Sequence, residues 1–411
     1  MFRISDNSRN SHSTARPLFT LHRPEHRTRA RWGRCGLCLF ALVFLLIGCT
    51  PGRFNQGSDG WSPPAAIDGA VYVGTKQGEI KALIDGGFDG FTVQWTFPSG
   101  GDSNESIEGV YNTPLVSNNL VYASGIDGVI YAIDRATGQL RWKQPRGLAE
   151  EERPSLVAGP ALDTRSNTVF VGSEDGKLYA YDADNGDERW SFRTGDKIWS
   201  TPVVKDGVVY FGSHDKNVYA VSVDDGEELW HFATGGVVAG RPLLFKDLVI
   251  VGSFDKKLYA LEAKTGFKRW EFEGKNWFWA GAVADIRTIF APSMDGNVYA
   301  LDGVGNLLWK HNVSKGSAIV SAPVVLTKGL VVAAENGRIV LLNTSPADMG
   351  PQRVISSLSL RDTEIRAPLS ATGESVFVGA QDSTVRRIQM KASQVQMWCF
   401  HTEENGPCET P

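Results

Sequence analysis

Histidine and cysteine are scarce in this chain: seven His and five Cys among 411 residues. Set aside the first 48 residues and only His214, His231, His311 and His401 remain, with Cys49, Cys399 and Cys408. No two of these His stand at the short spacing that brings two imidazoles onto one metal ion, so the sequence offers no His-built metal site. There is no pair of adjacent Cys. A membrane-spanning helix needs roughly 20 consecutive apolar residues, and the apolar stretch at residues 35–48, CGLCLFALVFLLIG, has only 14. A sustained helical period is also missing, which excludes bundles and α/β layers.

The ends differ in kind from the middle. Residues 1–48 hold eight Arg and two acids, then the apolar stretch: the pattern of an export signal. It closes on Leu46-Ile47-Gly48-Cys49, which resembles the lipobox of bacterial lipoproteins. That resemblance implies cleavage before Cys49, lipidation of Cys49 and attachment to a membrane through the lipid. Residue 50 is Thr, not the Asp that signals inner-membrane retention in enteric-type lipoproteins, so sorting to the periplasmic face of an outer membrane is permitted; in a single-membrane cell the anchor would hold the outer face of the cytoplasmic membrane. The organisation read from the chain is a signal with basic leader (1–48), a lipidated Cys and tether (49–60), a repeat domain (61–400) and a tail (401–411).

Without the leader, 34 basic and 44 acidic residues remain, a formal charge of about −10. Phosphate backbones are bound by clustered Lys and Arg, so this balance argues against a nucleic-acid partner. Cys399 and Cys408 lie nine apart at the C-terminal end. Either a disulfide staples the tail or both thiols are free; an oxidising compartment favours the disulfide.

What the chain has in abundance is repetition. GKLYAYDADNGDERWSF (176–192), KNVYAVSVDDGEELWHF (216–232) and KKLYALEAKTGFKRWEF (256–272) carry a polar turn, Tyr-Ala, a second turn and Trp at the same offsets. Aligned on the Tyr-Ala step, eight units follow one another at spacings of 40 to 50 residues. Each has four strand signals; in the fourth unit they start at Ser200, Gly207, Asn217 and Glu227, separated by KDG, HDK and DDG turns. Four short antiparallel strands per unit describe a propeller blade, so the expected fold is all-β, an eight-bladed β-propeller of four-stranded antiparallel blades and a monomer. Gly138, Gly186, Gly226, Gly266 and Gly305 precede a Trp by four residues, where a tight reversal is needed. Trp142, Trp190, Trp230, Trp270 and Trp309, with Trp95 and Trp398 in the first and last units, read as packing between blades.

These motifs, as in GKLYAYDADNGDERW and GNVYALDGVGNLLW, resemble the PQQ-like repeat of pyrroloquinoline-quinone dehydrogenases and their non-enzymatic relatives. The resemblance covers nearly all of the chain after the leader. The seventh unit lacks both Tyr and Trp, and its blade is expected to be the loosest. A lipidated Cys, eight repeats and no appended domain are also similar in layout to the BamB family of outer-membrane β-barrel assembly lipoproteins. That resemblance implies envelope proteins as partners, with the β-barrel assembly machinery foremost.

The quinone enzymes of the family use adjacent Cys packed on the cofactor, and this chain has none. No catalytic residue, metal ligand or cofactor is therefore assigned, and a PQQ-dependent dehydrogenase is the least favoured reading. His214 reads as an exposed turn residue. Acids recur in the turn between second and third strands (Asp127, Asp175, Asp215, Asp255, Asp295, Asp382). They could ring one face and bind cations, or each could brace its own turn; the second account applies unit by unit and is preferred.

Variation concentrates in the connections that lead into each innermost strand. Trp199, Arg241, Trp277, Phe278, Trp279 and Arg366 stand out there against Ala, Gly and Ser, and Trp and Arg dominate binding hot spots. They are expected near one mouth of the central channel, either contacting a partner or plugging it. Residues 97–112, 144–156 and 344–353 form longer connections, the first two on the face of the turn acids. The reading is a non-catalytic, lipid-anchored interaction scaffold of the cell envelope. The alternative is an envelope sensor whose propeller holds a small molecule.

Overall fold

A computed structural model of the chain describes residues 62–99, 107, 109–149, 152–347, 349–360, 362–392 and 394–408. The export signal, Cys49 and the tether lie outside the described residues. Everything described belongs to one unit, Gln56–Pro411.

The repeat folds as eight antiparallel sheets of four strands, each in simple sequence order from the inside outward, and the last sheet gains a fifth short strand, Gly406–Pro407. The blades occupy residues 65–97, 115–144, 161–193, 203–233, 243–273, 283–312, 324–359 and 370–407. In the fourth the strands are Val203–Lys205, Val208–Gly212, Asn217–Ser222 and Glu228–Ala233. The innermost strand begins three residues later than the sequence signal, because Pro202 cannot donate to a ladder. Middle strands are buried on both faces, since each blade is sandwiched between two others, and they are near-continuous in Val, Tyr, Phe and Ala. The helical turns described are short 3-10 segments such as Gly87–Asp89 and Gly350–Arg353.

The repeated residues hold the blades together pairwise. Ala220 pairs with Trp230 across the third and fourth strands, and Ala180 with Trp190, so the small residue of the Tyr-Ala step leaves room beside an indole. Each indole then reaches the following blade: Trp190 Nε1 donates to Val223 O at 3.0 Å and Trp230 Nε1 to Ala263 O at 2.9 Å. Gly226 has φ +75°, and a Cβ there would lie 2.7 Å from the Trp190 ring. Its glycine is needed both for the left-handed turn and for the approach of the preceding blade's Trp. Apolar clusters accordingly lie between blades, as where Tyr210, Trp230 and Val218 of the fourth meet Val249, Tyr259 and Leu261 of the fifth.

The seventh blade is built differently. Ile339, Val340, Leu341 and Leu342 of its third strand are all buried, and Arg353 fills the place beside Trp309 of the sixth, its guanidinium 4.0 Å from the ring centroid. Arg353 also donates to the carbonyls of Asn343, Ser345 and Ala347, which fixes the connection before the outer strand.

The ring closes without exchange of a strand. Val71, Val73 and Leu83 of the first blade pack on Phe377, Val385 and Phe400 of the eighth. Arg387 donates to Asp85 Oδ1 and Gly87 O across this seam, and Lys81 Nζ to Asn405 Oδ1 at 2.8 Å. Cys399 and Cys408 are joined by a disulfide that holds the last turn on the outer edge.

Candidate partner-binding surface

Turns between second and third strands share one face with the connections that lead from a fourth strand to the next blade. The backbone N–H of Gly195, in such a connection, donates to Asp215 of the following turn at 2.8 Å, and Gly235 N–H to Asp255 at 2.7 Å.

The turn acids are occupied by the fold. Tyr179, Tyr219 and Tyr259 each donate a hydroxyl proton to the Asp four residues earlier, at 2.7, 2.6 and 2.6 Å. The second oxygen of each Asp accepts the N–H two residues on, from Lys177, Asn217 and Lys257. For Asp215, burial pushes the carboxyl pKa up, but bonds from Tyr219, Gly195 and Asn217 outweigh it and the net displacement is downward. In the eighth blade Arg386 takes the place of Tyr and pairs with Asp382 at 2.5 Å. Among the described residues no group of His, Cys, Asp and Glu is placed to hold a metal ion.

The connections at this face share a plan. One residue turns inward and packs behind a glycine of the preceding blade: Ile198 on Gly172, Val238 on Gly212, Phe278 on Gly252. The next residue, Trp199, Ala239 or Trp279, turns out. Phe278 therefore needs correcting as a binding candidate, for it is 1 % exposed and packs on Tyr299 in the core.

Trp199 and Trp279 come together. Their rings meet edge to face with centroids 6.4 Å apart, across the blade that carries Ala239. Phe254 joins them, stacked on Trp277 at 4.6 Å and on Trp279 at 5.2 Å, and Trp277 remains 40 % exposed. On the other flank the His214 ring abuts Trp199 at 4.4 Å, Lys197 Nζ lies 4.7 Å over the indole, and Trp199 Nε1 donates to Glu174 at 2.9 Å. His214 is half-buried, not an exposed turn residue, and burial followed by the charge of Lys197 lowers its pKa.

The two arginines differ. Arg366 is held by Glu335 at 3.0 Å and Glu364 at 2.9 Å. Arg241 is exposed to solvent, and the protein crowded around it lowers its pKa through desolvation. Phe254 and His214 were not legible as members of the aromatic patch because they share a turn position with Glu174 and Met294, whose chemistry changes from unit to unit.

Compared with known proteins, residues 53–159, 127–276 and 238–398 match the family described as outer membrane protein assembly factor BamB. The chain belongs to this family. The three matched segments overlap as a repeat requires, and together they take in the first seven blades and most of the eighth. Among curated BamB proteins, that of Salmonella typhimurium (strain LT2) is 33% identical over 89 residues, 21% of this chain, and that of Shigella dysenteriae serotype 1 is 32% identical over the same length. The chain spans 23% of the length of these relatives. The crystal structure of BamB from Moraxella catarrhalis superposes with a TM-score of 0.63 at 17% identity, covering 81% of this chain and 92% of that one. A computationally designed protein, Ika8, superposes equally well, with TM-score 0.63 at 17% identity over 82% of this chain and 95% of its own. A designed ring and a BamB ring fit alike, so the likeness speaks for the propeller and not for a partner.

Proposed function

We propose that this BamB-family chain is a non-catalytic, lipid-anchored scaffold of the bacterial cell envelope that docks on partner proteins during assembly of outer-membrane β-barrels. The observation that carries this reading is the aromatic patch of Trp199, Trp279, Phe254 and Trp277 at one mouth of the ring. Aromatic side chains on a rigid framework supply contact area at small entropic cost. The repeated carboxylates are committed to turn bonds, which supports binding over acid–base chemistry. No described helix is long and apolar enough to cross a membrane, and in this reading attachment runs through the lipid on Cys49, with the protein on the periplasmic face of the outer membrane.

The test is crosslinking of the lipidated protein in its own cells, followed by capture and mass spectrometry. Recovery of the β-barrel assembly machinery by the wild type, and its loss with Trp279→Ala, is expected. Capture of no specific protein would sink the scaffold reading in favour of a ligand-binding sensor.

A further inference from the structure

Arg241 is set apart by register and by charge. It directly precedes Pro242, the residue before the innermost strand of the fifth blade, Leu243–Phe245. The residues at the same place in the other seven blades are Pro63, Thr113, Gly159, Thr201, Gly281, Ala322 and Ala367, all small and uncharged. The flanking blades stay close and slim: Ser200 Oγ donates to Gly240 O at 2.9 Å, and a Cβ on Gly281 would stand 2.8 Å from Arg241 O. Arg241 is thus the one guanidinium at this level of the described ring. It lies two residues inward of Ala239, the position over which Trp199 and Trp279 meet.

Two other cations on this face are paired, Arg366 with Glu335 and Glu364, and Lys197 with Glu174 at 3.9 Å. Among the described residues no carboxylate, carbonyl or ring stands against the Arg241 guanidinium. A guanidinium does not shed its proton at physiological pH, so its charge is answered only by water or by an incoming anion. Its planar fork matches a carboxylate with two parallel bonds. A single fork, with Glu174 and Asp215 on the same face and an acidic chain around it, suits one negative charge and repels a polyanion.

We propose that the docked partner inserts a carboxylate-bearing side chain at this mouth: Arg241 receives the carboxylate while an adjoining apolar residue of the same segment packs on Trp199 and Trp279. The inference rests on the docking reading above and adds the chemistry of what docks.

The test uses the full lipidated chain in detergent and two synthetic probes, the blocked peptide Gly-Phe-Glu-Phe-Gly and its counterpart with Gln for Glu, titrated by calorimetry. The Glu peptide is expected to bind at least about tenfold more tightly than the Gln peptide, in keeping with a charge-assisted bond. Arg241→Gln should bring that ratio to about one, and Arg241→Lys should keep part of it, with thermal unfolding unchanged in both. Equal binding of the two peptides, no binding of either at millimolar concentration, or a ratio that survives Arg241→Gln would overturn the proposal. So would free citrate competing as strongly as the Glu peptide binds, since that describes a small-molecule site. Crosslinking in cells separates this idea from the one beneath it. Partner capture that is lost with Trp279→Ala but intact with Arg241→Gln leaves the scaffold and removes the carboxylate.

Discussion

Trp199 and Trp279 touch edge to face across a blade that lends only Ala239 between them. Neither indole is among the blade-packing tryptophans, of which Trp95, Trp142, Trp190, Trp230 and Trp270 donate Nε1–H to a carbonyl of the next blade. Trp199→Ala and Trp279→Ala are therefore expected to weaken partner capture about thirtyfold or more, the loss of at least roughly 2 kcal/mol that marks a hot spot. Trp230→Ala, in contrast, should cost about 3–5 kcal/mol of stability through its cavity. Parallel calorimetry and capture assays on the three variants check the division; equal destabilisation by all three would mean that the pair is simply packing.

The Tyr–Asp bond recurs in successive blades, and one instance can be removed cleanly. Tyr219→Phe keeps the ring against Phe211 and Phe192 but withdraws the proton that Asp215 accepts at 2.6 Å. Asp215 keeps its bonds from Gly195 and Asn217, so the expected loss is about 1–3 kcal/mol, the range for a hydrogen bond to a charged group. Equilibrium urea unfolding measures it; no shift in midpoint would mean that water replaces the hydroxyl.

Acid should weaken the fold in two separate windows. Burial, first, and nearby cations lower the pKa of His214 and His311 from the ordinary 6.5. Between 6.5 and the lowered native value the unfolded chain binds protons that the native chain does not, so stability falls as pH drops through this window and is complete above it. Asp215 and Asp382 are displaced downward from 3.8, so their contribution is present above 3.8 and is lost only as pH falls further, through the native values. Thermal unfolding from pH 8 to pH 3 should show both declines, and His214→Gln should shrink the first alone.

How much of this could be read from residues follows the period of 40. Ile198, Val238 and Phe278 stand 40 apart, and that spacing already marks Phe278 as the inward anchor; reading it as a surface aromatic ignored its place in the series. Trp199, Ala239 and Trp279 share the next register, so the meeting of two indoles over an alanine was legible once blades were known to be adjacent. Phe254 was not, because its neighbours in register are Glu, His and Met, and only geometry shows that each leans on the connection beside it. Arg353 on Trp309 was equally hidden: a unit without Tyr or Trp looked loose, and its compensation comes from an arginine that no other unit carries.

The seam between first and last blades depends on residues some 300 apart, beyond the reach of any repeat pattern, and there the ring is most exposed to a single change. Arg387 is 3 % exposed, stacks 4.1 Å over Trp398 and holds both Asp85 and the Gly87 carbonyl of the first blade. With no strand exchanged, these bonds and the Phe377–Phe400 cluster are what keep the blades together. Arg387→Met leaves Asp85 without its counter-charge, and breaking a buried pair in this way costs about 3–5 kcal/mol. The same change at Arg269, whose partner Glu262 is on the surface, should cost under about 1 kcal/mol. Removing residues 399–411 should act at the seam as well, since it takes away Phe400, the Asn405 acceptor of Lys81 and the disulfide. Hydrogen exchange would place the loosening: faster exchange confined to residues 70–97 and 370–400 is expected, whereas uniform change around the ring would show that closure is shared by all eight blades.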